Sequence, residues 1–237
     1  MQISIRNLTK EEKLFSFFTS IVILEEVMRI LSWRVGPLAT NCYAVLCEEN
    51  REALIIDPGF SAGDERHIID DVIRRGFKVK FILNTHGHVD HISGNGILKR
   101  LTDARILIHE EDASMLTDPH ENLSFMLGLT VTSPKADRLL RDEDSIGLGD
   151  LEFKVIHTPG HTRGSISLFS EEEKIVFTGD TLFAGSIGRT DLPGSSFRDM
   201  IESLGRLMEL PDETIVYPGH GDVTSIGWEK GRNPFIS

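Results

Sequence analysis

The chain has 237 residues, 40% apolar and 26% charged, with 21 Gly and 9 Pro. Those proportions exclude a disordered, collagenous or disulfide-scaffold protein, and the length suits one domain with a sizeable core. Lys and Arg number 25 against 37 Asp and Glu, a formal charge of −12 that repels phosphate backbones and argues against a nucleic-acid partner.

The first apolar run, Leu14–Leu24, has 11 residues, too few for a hydrocarbon core that needs about 20. Glu11 and Glu12 precede it, Glu25 and Glu26 follow it, and no small-x-small cleavage site appears. Residues 1–27 therefore read as an N-terminal extension: either an extra helix packed on the domain or a segment upstream of a start at Met28. Residues 28–237 read as a single domain. Arg29–Val35, Cys42–Cys47 and Ala53–Ile56 are short β-forming runs that predict an antiparallel meander. Cys42 and Cys47 fall on opposite faces of one strand, so they predict two reduced thiols, and a cytoplasmic location is expected. A helix is predicted over Asp64–Arg75 with Gly76 as its stop, a strand over Val79–Leu83, a helix over Gly94–Leu101 and a strand over Arg105–Ile108. Residues 110–136 show weak helical periodicity and no strand. Strands follow at Ser145–Leu148, Leu151–Ile156, Ser165–Phe169 and Lys174–Phe177, the last two joined by the Glu171–Glu173 turn. Phe197–Leu207 predicts a helix with Ile201, Leu204 and Leu207 on one stripe, and Thr214–Tyr217 a last strand. Two sets of strands, each with helices, suggest facing sheets with helices outside.

Chemistry gathers at strand ends. His86-Gly87-His88-Val89-Asp90-His91 follows the strand ending at Leu83, and His161, Asp180 and His220 each lie in a Gly-containing loop just past a strand. Imidazoles and carboxylates without a thiolate suit a transition metal. Seven such groups exceed one tetrahedral ion and fit two ions sharing a bridging carboxylate.

His86-x-His88-x-Asp90-His91, then His161, Asp180 and His220, resembles the metallo-β-lactamase superfamily over Met28–Ile236. The resemblance implies an α+β fold, an αββα four-layer sandwich with a dinuclear site between sheet ends. It implies a first metal on His86, His88 and His161, a second on Asp90, His91 and His220, and Asp180 bridging. Asp90 would be a ligand that also orients the hydroxide. The ions implied are divalent, Zn foremost, with Fe or Mn as alternatives. Where the true lactamases of the best-known class carry a cysteine, this chain has Asp180, which counts against antibiotic hydrolysis.

Gly185–Gly194 and the tail Tyr217-Pro218-Gly219-His220-Gly221 … Asn233-Pro234-Phe235 resemble the short glyoxalase II-like hydrolases, thioesterases whose typical substrate is S-lactoylglutathione. Classical members add a C-terminal helical domain with glutathione contacts, whereas this chain ends 17 residues beyond His220. Asp57, before Pro58-Gly59, resembles the supporting aspartate that orients a ligand loop, or else simply makes a turn. Arg189 either forks onto a substrate carboxylate or pairs with Asp191. His157 stands near the site loops, while His67, His109 and His120 read as ordinary histidines.

The expected activity is metal-dependent hydrolysis of a small-molecule thioester by a metal-bridging hydroxide, with neither nucleic acid nor membrane as partner. Two alternatives stand beside it. A persulfide dioxygenase of the same fold shares a Gly-Arg-Thr-Asp segment and uses one iron on residues matching His86, His161 and Asp180. A metal-binding module without catalysis would use the fold as a scaffold.

Overall fold

A computed structural model describes residues 27–236. The apolar run Leu14–Leu24, and with it the reading of residues 1–27 as an extension, lies outside the described residues apart from Val27.

The first sheet contains β1 (Met28–Val35), β2 (Thr40–Cys47), β3 (Glu52–Ile56), β4 (Lys78–Leu83), β5 (Arg105–His109) and β6 (Arg138–Leu140), in that spatial order. β1 to β3 form the antiparallel meander, and β3 to β6 run parallel. The second contains β7 (Ser145–Leu148), β8 (Leu151–His157), β9 (Ile166–Ser170), β10 (Ile175–Gly179), β13 (Ile215–Pro218) and β14 (Thr224–Ser225), ordered β14-β13-β10-β9-β8-β7. β11 (Leu182–Phe183) and β12 (Ser186–Ile187) pair by themselves.

Every residue of β2 is buried, because both its faces are covered. Tyr43, Val45 and Cys47 join Leu54, Leu83, Phe153, Val155, Leu168 and Phe177 in the core between the sheets. Cys42, Ala44 and Leu46 point outward to a second core under the helices of the first sheet. Both cysteines are unpaired and buried, on opposite faces as the period of two requires. Helices α1 (Glu65–Ile68), α2 (Val89–Ile92) and α3 (Asn95–Thr102) cover the first sheet, and α4 (Phe197–Leu207) and α5 (Ile226–Arg232) the second. The molecule is therefore the expected αββα sandwich.

Two local readings change, and the weak periodicity of a third segment finds its cause. The helix expected over Asp64–Arg75 is α-helical only to Ile68 and widens to a π turn over Ile69–Ile73. It closes in a Schellman cap: Phe77 N–H donates to Val72 O and Gly76 N–H to Ile73 O, with Gly76 at φ +85°. On α4 the buried stripe is Met200, Leu204 and Leu207, and Ile201 is exposed. The Ser196 hydroxyl accepts from Asp199 N–H and caps the helix, and the three buried side chains, packed on the second sheet, stabilise the layer by about 1.5–3 kcal/mol each. Residues 110–136 hold two 3₁₀ turns, Glu110–Leu116 and Phe125–Leu127, whose period of three dilutes a helical pattern.

Candidate metal centre

β4 ends at Leu83, and the chain passes through Asn84 and Thr85 into His86, with α2 carrying Asp90 and His91. Asn84 fixes this exit: its amide donates to His91 O at 3.0 Å and pairs with Asn95. From the second sheet, His161 follows β8, Asp180 follows β10 and His220 follows β13. All seven sequence-derived groups meet. Three sets, His86/His88/His161, His86/His91/Asp180 and Asp90/His91/His220, each offer ligand atoms within 4.8 Å of one another. Asp180 faces both outer sets, with Oδ1 3.5 Å from His91 Nε2 and Oδ2 3.5 Å from His161 Nε2 and 3.6 Å from His220 Nε2. Asp90 Oδ2 lies 3.4 Å from His91 Nε2 and 3.2 Å from His220 Nε2.

Two glycines make this convergence sterically possible. A Cβ on Gly219 would stand 2.2 Å from Asp180 Oδ1, and one on Gly188 would stand 1.7 Å from Asp180 O. The Gly185–Gly194 and Pro-Gly-His-Gly motifs thus let main chain approach Asp180, Gly188 at its carbonyl and Gly219 at its carboxylate.

The outer nitrogens of three imidazoles are committed elsewhere, which aims their other nitrogens inward. His161 Nδ1 donates to Arg189 O at 2.9 Å. His91 Nδ1 lies 3.0 Å from Asp57 Oδ2. Thr85 donates its hydroxyl to Asp57 Oδ2 at 2.6 Å and so accepts from His86 Nδ1 at 3.2 Å. Hydrogen bonds of this kind select the tautomer that presents a lone pair to a cation. Asp57 also accepts from Thr85 N–H at 2.8 Å, and it holds the left-handed φ of +50°. Three atoms so aimed, His86 Nε2, His91 Nε2 and Asp180 Oδ1, are buried without a hydrogen-bond partner, and His88 turns its Nδ1 toward the cluster, 2.9 Å from His161 Nε2. Orphaned buried donors and acceptors are costly, and a divalent cation is the group that nitrogen and carboxylate atoms so arranged would satisfy.

The charges are unevenly placed. Burial pushes the His86 imidazole well below its ordinary value, with His91, His88 and His161 acting the same way. His88 falls to about 3, through burial first and then His161. Burial opposes protonation of His91 too, but Asp90, Asp57 and Asp180 outweigh it and raise that imidazole. Burial would raise the Asp90 carboxyl, yet His91 and His220 hold it well below the usual carboxylate range.

Several braces escaped the sequence. Asp112, buried in the first 3₁₀ turn, accepts from Gly87 N–H at 3.0 Å, Gly164 N–H at 2.7 Å and the Thr162 hydroxyl at 2.7 Å. It thereby joins the His86–His91 loop to the His161 loop. Asn41 donates to Pro218 O and Gly221 O, and Tyr43 Oη donates to Pro218 O at 2.7 Å, anchoring the His220 loop to β2. Thr40 Oγ1 donates to Asp90 Oδ2 at 3.0 Å. Buried Glu229 accepts from Gly185 N–H, Thr224 and Asn233, and Asn233 also donates to Ser186 O. That network ties the Asn-Pro-Phe tail to the β11–β12 segment. A buried glutamate or aspartate serving main-chain N–H groups leaves no side-chain pattern to read.

Arg189 takes the second of its two expected places, and His157 stands beside the site. The Arg189 guanidinium forks onto Asp191 at 2.9 and 2.9 Å on the surface, so its carbonyl rather than its charge touches the cluster. His157 stacks on His109 with ring centroids 4.1 Å apart and donates to Arg163 O, one step from the ligand groups.

Fold and site together define a metal-binding α/β sandwich of the hydrolase type. The family model for the metallo-beta-lactamase superfamily matches residues 35–220, and the chain belongs to that superfamily. It is 35% identical over 206 residues to the hydroxyacylglutathione hydrolase GloC of Haemophilus influenzae, covering 86% of this chain and 95% of that one. The solved BLEG-1 B3 metallo-beta-lactamase is 36% identical with a TM-score of 0.82, covering 88% of this chain and 100% of that one. TTHA1623, solved in a di-iron-bound form, is 35% identical with a TM-score of 0.75, covering 86% and 99%. No helix among the described residues is long and apolar enough to cross a membrane.

Proposed function

We propose that this metallo-hydrolase cleaves thioesters and holds two divalent ions. His86, His88 and His161 would surround one, Asp90, His91 and His220 the other, with Asp180 between them. The observation that carries the reading is the second triad: Asp90, His91 and His220 offer ligand atoms within 4.8 Å of one another. A hydrolase with two ions would use that triad for the second, whereas a one-iron oxygenase on His86, His161 and Asp180 would leave it without an ion. The similarity to GloC supports the same substrate class. Nitrogen and carboxylate donors without a thiolate suit Zn foremost, then Fe or Mn. Unpaired buried thiols at Cys42 and Cys47 fit a cytoplasmic setting.

Ions held there would supply an activated water and a seat for the carbonyl oxygen as it gains charge. The chain's residues do the rest. Asp57, through His91 and through Thr85 to His86, fixes two ring planes. Arg189 O fixes a third, and Thr40 holds the Asp90 carboxylate toward His220 and His91. In the hydrolysis, the activated water gives one proton to solvent and its oxygen bonds the acyl carbon; the C–S bond breaks, the thiolate leaves with the electron pair, and the acid formed gives up its own proton to become a carboxylate. A thiol has a pKa of about 8.5, so no side chain need protonate it first.

The test is turnover of S-lactoylglutathione, glutathione persulfide and a cephalosporin by metal-loaded protein, each under air and under nitrogen. Thioester hydrolysis that is independent of oxygen and falls at least about tenfold in His220→Ala, roughly 1.4 kcal/mol of transition-state stabilisation, is expected. Oxygen uptake with the persulfide and no thioester cleavage would overturn the proposal.

A further inference from the structure

Above the metal cluster opens a cleft of about 480 Å³. Its floor is polar, but its walls are Leu38, Leu123, Met126, Leu127, Ile187 and Leu192. Leu38 is 52% exposed, Met126 66% and Leu127 56%, a large apolar presentation for so charged a chain. Contiguous exposed apolar surface beside a polar centre marks a place that something covers.

The wall is built rather than loose. Buried Asn122 donates to Met115 O at 3.0 Å and Val131 O at 2.9 Å, accepts from Ser124 N–H, and offers its own carbonyl to Val89 N–H. The 3₁₀ turn bearing Met126 and Leu127 is thereby clamped to the helix that carries Asp90 and His91. Leu123 sits at φ +65°, a left-handed conformation that costs a leucine about 1 kcal/mol and persists where surroundings enforce it.

Charge points the same way. Arg189 is the one lysine or arginine among the cleft's described lining residues, and its Nε–Nη2 edge is taken by Asp191 on the surface. A neighbouring cavity of about 360 Å³ carries Arg163, but Glu111 and Glu121 line it as well. Among the described residues, a carrier bearing carboxylates or phosphates meets one cation in the cleft, and that one is already paired with a carboxylate.

We propose that the substrate is a thioester flanked by an apolar, uncharged chain that lies along Leu38, Leu123, Met126 and Leu127. This rests on the thioesterase reading and narrows its substrate class. Neutral apolar thioesters then outrank S-lactoylglutathione, because burying each methylene is worth up to about fourfold.

The experiment compares acetyl, butyryl and hexanoyl thioesters of uncharged N-acetylcysteamine, and S-ethyl, S-butyl and S-hexyl thioacetates, on metal-loaded protein. Expected is a rise of about tenfold or more in kcat/KM along one series, which also tells whether the acyl or the thiol side lies on the wall. Met126→Glu flattens that rise to about threefold or less, and Asp191→Asn, which frees Arg189, improves S-lactoylglutathione relative to the neutral substrates. Thioester turnover that is flat or falling along both series overturns the apolar wall and leaves the thioesterase reading standing. If no thioester is cleaved, the thioesterase reading fails, and calorimetry with ethanethiol, hexanethiol and glutathione still decides the wall. Hexanethiol binding about tenfold or more tighter than ethanethiol, and tighter than glutathione, supports an apolar occupant, and equal or weaker binding overturns it.

Discussion

The loop after β4 supplies His86, His88, Asp90 and His91 from one stretch, whereas the second sheet supplies His161, Asp180 and His220 from three loops after three strands. The first half is organised locally: one strand exit, one short helix, and Asn84 and Asp57 holding both. The second half depends on β8, β10 and β13 ending level, and on bonds that cross between the sheets. A site built in this way should respond differently to damage on its two sides. Loss within the contiguous loop removes single ligands from an intact frame, while loss of a crossing bond displaces a whole loop.

Asp180→Ala breaks the comparison most severely, since this carboxylate faces His91 on one side and His161 and His220 on the other. Hydrolysis should fall to background, and elemental analysis should find at most one ion per chain. Two tightly held ions in that variant would show that the halves do not meet at Asp180.

Asp112→Ala should come next and acts on stability as well as turnover. It leaves the buried Gly87 and Gly164 N–H groups without acceptors, at about 1–3 kcal/mol each. Chemical denaturation should show a loss of about 2–6 kcal/mol, with metal occupancy falling as the two loops part. Asp112→Asn, which keeps one acceptor oxygen, should recover part of both. Equal loss of occupancy in the Asn and Ala variants would mean that charge rather than bonding matters at this position.

The contrast between halves also explains what was legible. His86–His91 could be read because six adjacent residues carry the whole pattern and a strongly β-forming run precedes them. His161, Asp180 and His220 are each alone in their loops, and only their common position after strands, together with the family resemblance, linked them. Asp112 was hidden because its partners are main-chain N–H groups and its 3₁₀ turn blurs the helical period. Ile201 and Met200 stand three and four residues before Leu204, so the apolar spacing alone does not separate them, and packing against the second sheet buries Met200. Two-residue strands such as β11, β12 and β14 are shorter than any periodicity can register.

The smallest effect should come from Tyr43→Phe, and it sharpens the comparison because it touches one half alone. The hydroxyl donates to Pro218 O, and that carbonyl also accepts from Asn41 at 3.0 Å, so deleting the hydroxyl orphans nothing. The ring stays, with its edge-on contacts to Phe177 at 5.2 Å and Tyr217 at 5.6 Å. The cost should therefore be that of one net hydrogen bond, about 0.5–1.5 kcal/mol. Its consequence should be confined to the His220 loop: the ion bound by Asp90, His91 and His220 should dissociate more readily on titration with a chelator, while the ion on His86, His88 and His161 is unchanged. Asn41→Ala removes donors to both Pro218 O and Gly221 O and should weaken the same ion further. If either variant released both ions in parallel, the two halves would be one cooperative unit, and the division drawn between a local side and an assembled side would fail.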